Sequence, residues 1–174
     1  MTRTRGPVVA TIVVWLAIAA VGLGAQAPAS PPSPASPLAQ ARLTGTFIAL
    51  SVADAAASAR WYESTLGLRV VKRIDPPNER VHIVLMEGDG AFLELLEHPT
   101  AKARTAWNPD AKEPFDIRGI FKAGIVVERL DGLLRMLRDK KVEIRHGPFD
   151  IPEMKVRSFI AVDLDGNLLQ FFGK

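Results

Sequence analysis

The 174-residue chain contains no cysteine. That excludes a disulfide scaffold, a thiolate nucleophile, a thiolate metal site and a lipidated cysteine of the lipoprotein kind. Histidine is scarce: His82, His98 and His146 are the full set, and none stands in an H-x-E or H-E-x-x-H spacing. There is no Gly-rich phosphate loop, and no serine sits in a nucleophile elbow. The first 41 residues hold no acid. Of the net charge of +3, Arg3 and Arg5 carry +2, so from Arg42 onward 3 − 2 leaves +1. Basic residues there alternate with acidic ones and form no stripe interleaved with aromatics, which excludes a nucleic-acid footprint. After Ala25 no apolar run is long enough to span a bilayer.

What is present begins with an export signal. Arg3 and Arg5 form a positive n-region, and Val8 to Ala25 is an uncharged apolar run of 18 residues. Ala25-Gln26-Ala27 and Ala27-Pro28-Ala29 both offer small residues at cleavage spacing. Pro28 disfavours cutting after Ala27, so cleavage after Ala29 is expected. The run is also just long enough to serve as an uncleaved membrane anchor over residues 8–25. Either reading exports the domain, to the periplasm or outside the cell, and limits membrane contact to this segment. Residues 30–44 belong to a Pro/Ala/Ser-rich linker, expected to be an extended spacer. One domain, residues 45–174, follows and is long enough to bury a core.

That domain reads as two copies of one module. In Thr46 to Val70, TFIALSVADAAASARWYESTLGLRV, the alternation of Phe47 to Val52 marks a strand. Asp54 suits a helix N-cap, Ala55, Ala56, Ala57 and Ala59 favour a helix, and Gly67 suits a left-handed C-cap. Leu68 to Ile74 resumes a strand. Arg80 to Met86 alternates, with His82, Val84 and Met86 on the face expected to line a binding site. Gly88-Asp89-Gly90 is a hairpin turn. Ala91 to Glu97 is a strand, with Phe92, Glu94 and Leu96 on one face. An echo offset by 75 residues starts at Phe121 to Ile144, FKAGIVVERLDGLLRMLRDKKVEI, with a helix at Asp131 to Lys141 and a strand at Val142 to Arg145. A loop is expected at Gly147 to Met154. Strands at Lys155 to Val162 and Leu168 to Phe172 follow, joined by the turn Asp163-Leu164-Asp165-Gly166-Asn167. His98 to Arg118 is polar and reads as the inter-module loop, with Trp107 packed against the domain.

Two β-α-β-β-β modules, the VAD before WYESTLGL, the strand FLELLEHP and the final DLDGNLLQFF together resemble the vicinal oxygen chelate (VOC) superfamily. This is the glyoxalase, bleomycin-resistance and extradiol-dioxygenase group. The resemblance implies an α+β fold: two tandem βαβββ modules forming a cup-shaped mixed sheet with helices on the outside. It also implies pairing of modules between chains, hence a homodimer. In such proteins a divalent metal such as Mn, Fe, Ni, Co or Zn sits at the base of the cup and polarises substrate oxygens. Its ligands are usually His and Glu, sometimes Gln, one from the first and one from the last strand of each module.

Carried over position by position, those ligands become Phe47, Glu94, Lys122 and Gln170. Phe47 cannot coordinate, and a protonated Lys122 repels a cation. Glu94 and Gln170 are oxygen donors. An ion pair between Lys122 and Glu94 in place of the metal is expected, with Gln170 bonding one partner and the Lys122 pKa raised by the carboxylate. No cofactor is expected, and no catalytic residue is assigned. Three readings stay open. One is a metal-free protein binding a small organic ligand through Phe47, Glu94, Lys122, Gln170 and His82. The second is a metal-dependent lyase, isomerase or dioxygenase with a reduced site of Glu94, Gln170 and His82. The third is an interaction module whose cup is closed by Phe47, Phe92, Leu96, Leu168 and Phe172.

Overall fold

A computed structural model describes residues 37–41, 45–77, 80–107, 109–116 and 118–174. The signal or anchor segment and most of the linker lie outside these residues. Within the linker Pro37–Gln40 forms a single helical turn, α1, where an extended spacer was expected.

Residues Arg42–Lys174 form one compact unit. Its first module runs β1 (Ile48–Val52), α2 (Ala55–Leu66), β2 (Arg69–Ile74), β3 (His82–Gly88) and β4 (Ala91–Glu97). Asp54 caps α2, its carboxylate accepting from the Ala57 N–H at 2.7 Å. Gly67, at φ 74°, ends the helix by donating to the Glu63 carbonyl, a left-handed turn that favours glycine. The sheet order is β1-β4-β3-β2, with β1 parallel to β4 and the other pairs antiparallel. Ala49 lies opposite Glu94. Val52, Val84, Met86, Leu93 and Leu95 are buried together with Ala55, Ala59 and Tyr62 of α2. The other face, with Phe47 just ahead of β1 and Phe92 on β4, is open to solvent.

Between the modules, Arg104–Trp107 is a short helix, α3, and Pro114–Asp116 a 3-10 turn, so the expected loop carries two helical turns. The second module repeats the first as β5 (Lys122–Val126), α4 (Leu130–Asp139), β6 (Ile144–Ile151), β7 (Val156–Val162) and β8 (Leu168–Gly173). Its order is β5-β8-β7-β6, with Gly124 opposite Gln170. The βαβββ module expected from the sequence is thus present twice. Among the described residues no ladder joins the two sheets, so the cup is not closed in a single chain.

β6 departs from expectation. Gly147 to Met154 was expected to be a loop, yet the strand continues to Ile151 and only Pro152–Met154 turns. Two register shifts against β7 absorb the Gly-Pro pair on this edge strand. Gly147 is at φ 93°, and a Cβ there would meet the Ser158 carbonyl oxygen at 2.8 Å, so the backbones approach as only glycine allows.

One apolar core spans both modules, joining Tyr62 and Leu95 with Leu134, Leu137, Phe159 and Phe171. A polar clasp accompanies it. The Asp163 carboxylate accepts from Tyr62 Oη at 2.8 Å. Asp165 accepts from the Ala53 N–H at 2.7 Å and from Ser58 Oγ at 3.1 Å. Lys140 Nζ, just after α4, donates to the Ser64 carbonyl at the end of α2. The turn recognised in the sequence therefore holds the first module's helix.

Candidate functional site

The internal repeat defines the site. Phe47 and Lys122 each stand seven residues ahead of a helix N-cap, Asp54 and Arg129. Two residues further on, Ala49 and Gly124 face Glu94 and Gln170 across a parallel pair. Strand alternation puts each set on the sheet face away from its helix. Two equivalent corners result: Phe47, Ala49 and Glu94 in the first module, and Lys122, Gly124 and Gln170 in the second. A small residue leaves the middle of each corner bare.

The first corner is open. Phe47 is 66% exposed and Phe92 53% exposed, so the set expected to close the cup does not close it on this side. Glu94 is half-buried, flanked on its own strand by Phe92 and Leu96. Among the described residues no side chain pairs with its carboxylate.

The second corner is more enclosed. Gln170 is 3% exposed and Ser158 fully buried, beside a small apolar cluster of Ile160, Val162, Leu168 and Phe121. Gln170 Nε2 donates to Ser158 Oγ at 2.8 Å, and Ser158 Oγ donates to the Phe171 carbonyl at 2.8 Å. The serine's proton is thus committed, which fixes the amide with its nitrogen toward Ser158. Among the described residues no donor reaches Gln170 Oε1. A buried acceptor without a donor costs about 1–3 kcal/mol.

Lys122 is half-buried, with Nζ 4.9 Å from the Phe121 ring centroid. Burial lowers its pKa below the ordinary lysine value, with no carboxylate opposing the shift. The Lys122–Glu94 ion pair expected from the sequence is therefore absent, and the expected rise in the lysine pKa is a fall. Glu94 and Lys122 stand on β4 and β5, in different modules, and among the described residues their side chains form no ion pair.

His82 is not on the face that carries Glu94. Val84 and Met86, its alternate neighbours on β3, are buried under α2, so His82 points to the helix side of the sheet. Its Nδ1 lies 2.7 Å from Asp75 Oδ1. That hydrogen bond, with Glu97 acting in the same direction, raises the His82 pKa. A groove of about 310 Å³ lies here, lined by Asp54, Ala56, Arg73, Asp75, His82 and Glu97. Glu97 is committed to structure, accepting from the Ala55 N–H at the start of α2.

The divalent metal implied by the resemblance does not fit these residues. Phe47 offers no donor atom and Lys122 brings positive charge, which leaves only Glu94 and Gln170 of the four positions able to coordinate. Among the described residues no three His, Asp or Glu side chains gather in a way that could hold a metal ion. Ser158 and Phe121, which shape the second corner, were not singled out in the sequence. Ser158 was detectable as the small polar residue at the start of the apolar run Phe159 to Val162.

A model of the Glyoxalase/Bleomycin resistance protein/Dioxygenase superfamily matches residues 46–171. The chain belongs to this superfamily. Among solved structures, a glyoxalase family protein from Enterococcus faecalis is similar with a TM-score of 0.61 at 17% identity, covering 72% of this chain and 94% of that one. A glyoxalase/dioxygenase from Nostoc punctiforme has a TM-score of 0.56 at 21% identity, over 83% and 99% of the two chains. Glyoxalase I from Leishmania major has a TM-score of 0.53 at 20% identity, over 73% and 84%. At these identities the likeness is one of fold. No curated protein matches significantly.

Proposed function

We propose that this superfamily member is an exported protein that binds a small organic ligand on the sheet faces opposite its helices without a metal, as a homodimer. The observation that carries this reading is the pair of equivalent positions Phe47 and Lys122. An apolar ring and an ammonium stand where metal-using relatives are expected to place histidines, and neither fits a divalent cation. The open first corner supplies apolar area around one carboxylate, and the second supplies a cation and an amide oxygen. That combination of an apolar wall with a few polar groups suits a small-molecule site. Export rests on residues 1–29, and the homodimer on the superfamily resemblance.

Thermal melting of the full chain, screened against small organic acids, alcohols and aromatics in the presence of EDTA, tests the reading. A compound that raises Tm in EDTA supports it, because binding to the folded state stabilises by mass action. Stabilisation that appears only when Mn, Fe, Ni, Co or Zn is supplied would overturn it.

A further inference from the structure

We propose that the groove between α2 and the β2–β3 pair is a second binding site, for a small zwitterion that carries an ammonium and a carboxylate, such as an amino acid. It lies on the helix side of the first sheet, away from the sheet faces of the reading above, and the two sites stand or fall separately.

Strand register builds the floor. His82 is opposite Glu97 across β3–β4, and Ile74 is opposite Ile83 across β2–β3, so the next rung sets Asp75 beside His82. The 2.7 Å bond between His82 Nδ1 and Asp75 Oδ1 closes that rung. Asp75, His82 and Glu97 thus form one row across three strands, on the face that α2 covers. Arg73 shares that face one rung further in, opposite the buried Val84. Asp54 stands on the opposite wall, at the start of α2. About 310 Å³ lies between the walls, at the small end of the range for ligand pockets.

The helix N-terminus itself is already satisfied: Glu97 accepts from the Ala55 N–H and Asp54 from the Ala57 N–H. What the groove offers is charge of both signs on opposite walls. Arg73 and Asp54 line it together, yet among the described residues neither belongs to an ion pair. With Nδ1 held by Asp75, His82 has Nε2 left for a ligand. The bond to Asp75, and then the Glu97 charge, favour the protonated ring, in which Nε2 donates. A lone anion would meet three carboxylates here, and a lone cation would meet Arg73 and the imidazolium. A zwitterion suits both: its carboxylate accepts from Arg73 and His82 Nε2, and its ammonium donates to Asp54. Ala55, Ala56 and Val84 give the groove an apolar side, which suits an aliphatic substituent.

Three probes separate these contributions. Leucine carries both charges; 4-methylpentanoate lacks the ammonium; 3-methylbutylamine lacks the carboxylate. In NMR titrations of the full chain, read at the amides of β2, β3 and the first turn of α2, leucine should bind at least about tenfold tighter than either. Arg73→Met should remove its advantage over the amine, and Arg73→Lys should keep most of it. Asp54→Asn keeps the helix cap, because asparagine caps as well as aspartate, but should remove the advantage over the acid. Equal affinity for the three probes, unchanged leucine affinity in Arg73→Met, or no saturable shift up to about 10 mM leucine would overturn the proposal. Leucine that shifts only β5 and β8 would overturn it too, and would put the ligand on the sheet face instead.

Discussion

At the scale of single residues, the energetics of Lys122 and Tyr62 run in opposite directions. A charge that has lost solvation without gaining a partner is a small liability, whereas breaking a buried pair costs about 3–5 kcal/mol. Because Lys122 has no carboxylate partner among the described residues, Lys122→Met should change stability by less than about 1 kcal/mol in urea unfolding. A loss of about 3 kcal/mol or more would instead mean that a buried partner exists. Tyr62 is tied into the clasp by a charge-assisted bond to Asp163. Tyr62→Phe should cost about 1.5–3 kcal/mol. Burial first, then the Asp163 carboxylate, push the Tyr62 pKa above the usual phenol range. A raised folded pKa means full stability below the unfolded value of about 10, lost as pH rises beyond it. Stability should therefore fall above pH ~10 in the parent chain and more shallowly in Tyr62→Phe; parallel pH profiles would contradict the assignment.

At the scale of elements, the module helices α2 and α4 differ in how locally their ends are encoded. α2 was legible from Asp54, the alanines and Gly67, because each residue acts locally and its chemistry does not depend on the fold. Asp54→Ala should cost about 1 kcal/mol. α4 has no such signal: Arg129 occupies the N-cap and makes no side-chain cap bond, while the Leu130 N–H donates to the Lys174 carbonyl. Arg129→Ser should add about 0.5–1 kcal/mol, seen as a higher denaturation midpoint. The strands show the opposite case. Alternation over Arg80 to Met86 separates Val81, Ile83 and Leu85 from His82, Val84 and Met86, but period alone does not say which set faces the helix. His82 was therefore assigned to the wrong face. The full length of β6 is hidden in the sequence for a related reason: Gly147-Pro148 reads as a breaker locally, and only the pairing with β7 shows the bulges that accommodate it.

At the scale of the whole molecule, the two modules share one core and one clasp, although no hydrogen-bonded ladder joins their sheets among the described residues. The chain from Arg42 onward should unfold in a single transition. Asp165→Ala removes the acceptor for both the Ala53 N–H and Ser58 Oγ. It should lower the stability of both modules together, by about 1–3 kcal/mol. Hydrogen exchange that loosens α2 and its sheet while leaving α4 and its sheet protected would contradict that coupling. The fold class was legible because a repeated module imposes its pattern twice. That Lys122 and Glu94 do not pair was not legible, because it depends on how two sheets sit in space, which no local pattern encodes.

Metal-free ligand binding is the function proposed for this chain. Its most direct test is the metal content of the full chain, purified without chelator and challenged in turn with Mn, Fe, Ni, Co and Zn. Far less than one metal per chain is expected under every condition, in the parent and in Glu94→Ala alike. A stoichiometric metal that disappears in Glu94→Ala would contradict metal-free binding and restore a metal centre to this member of the superfamily.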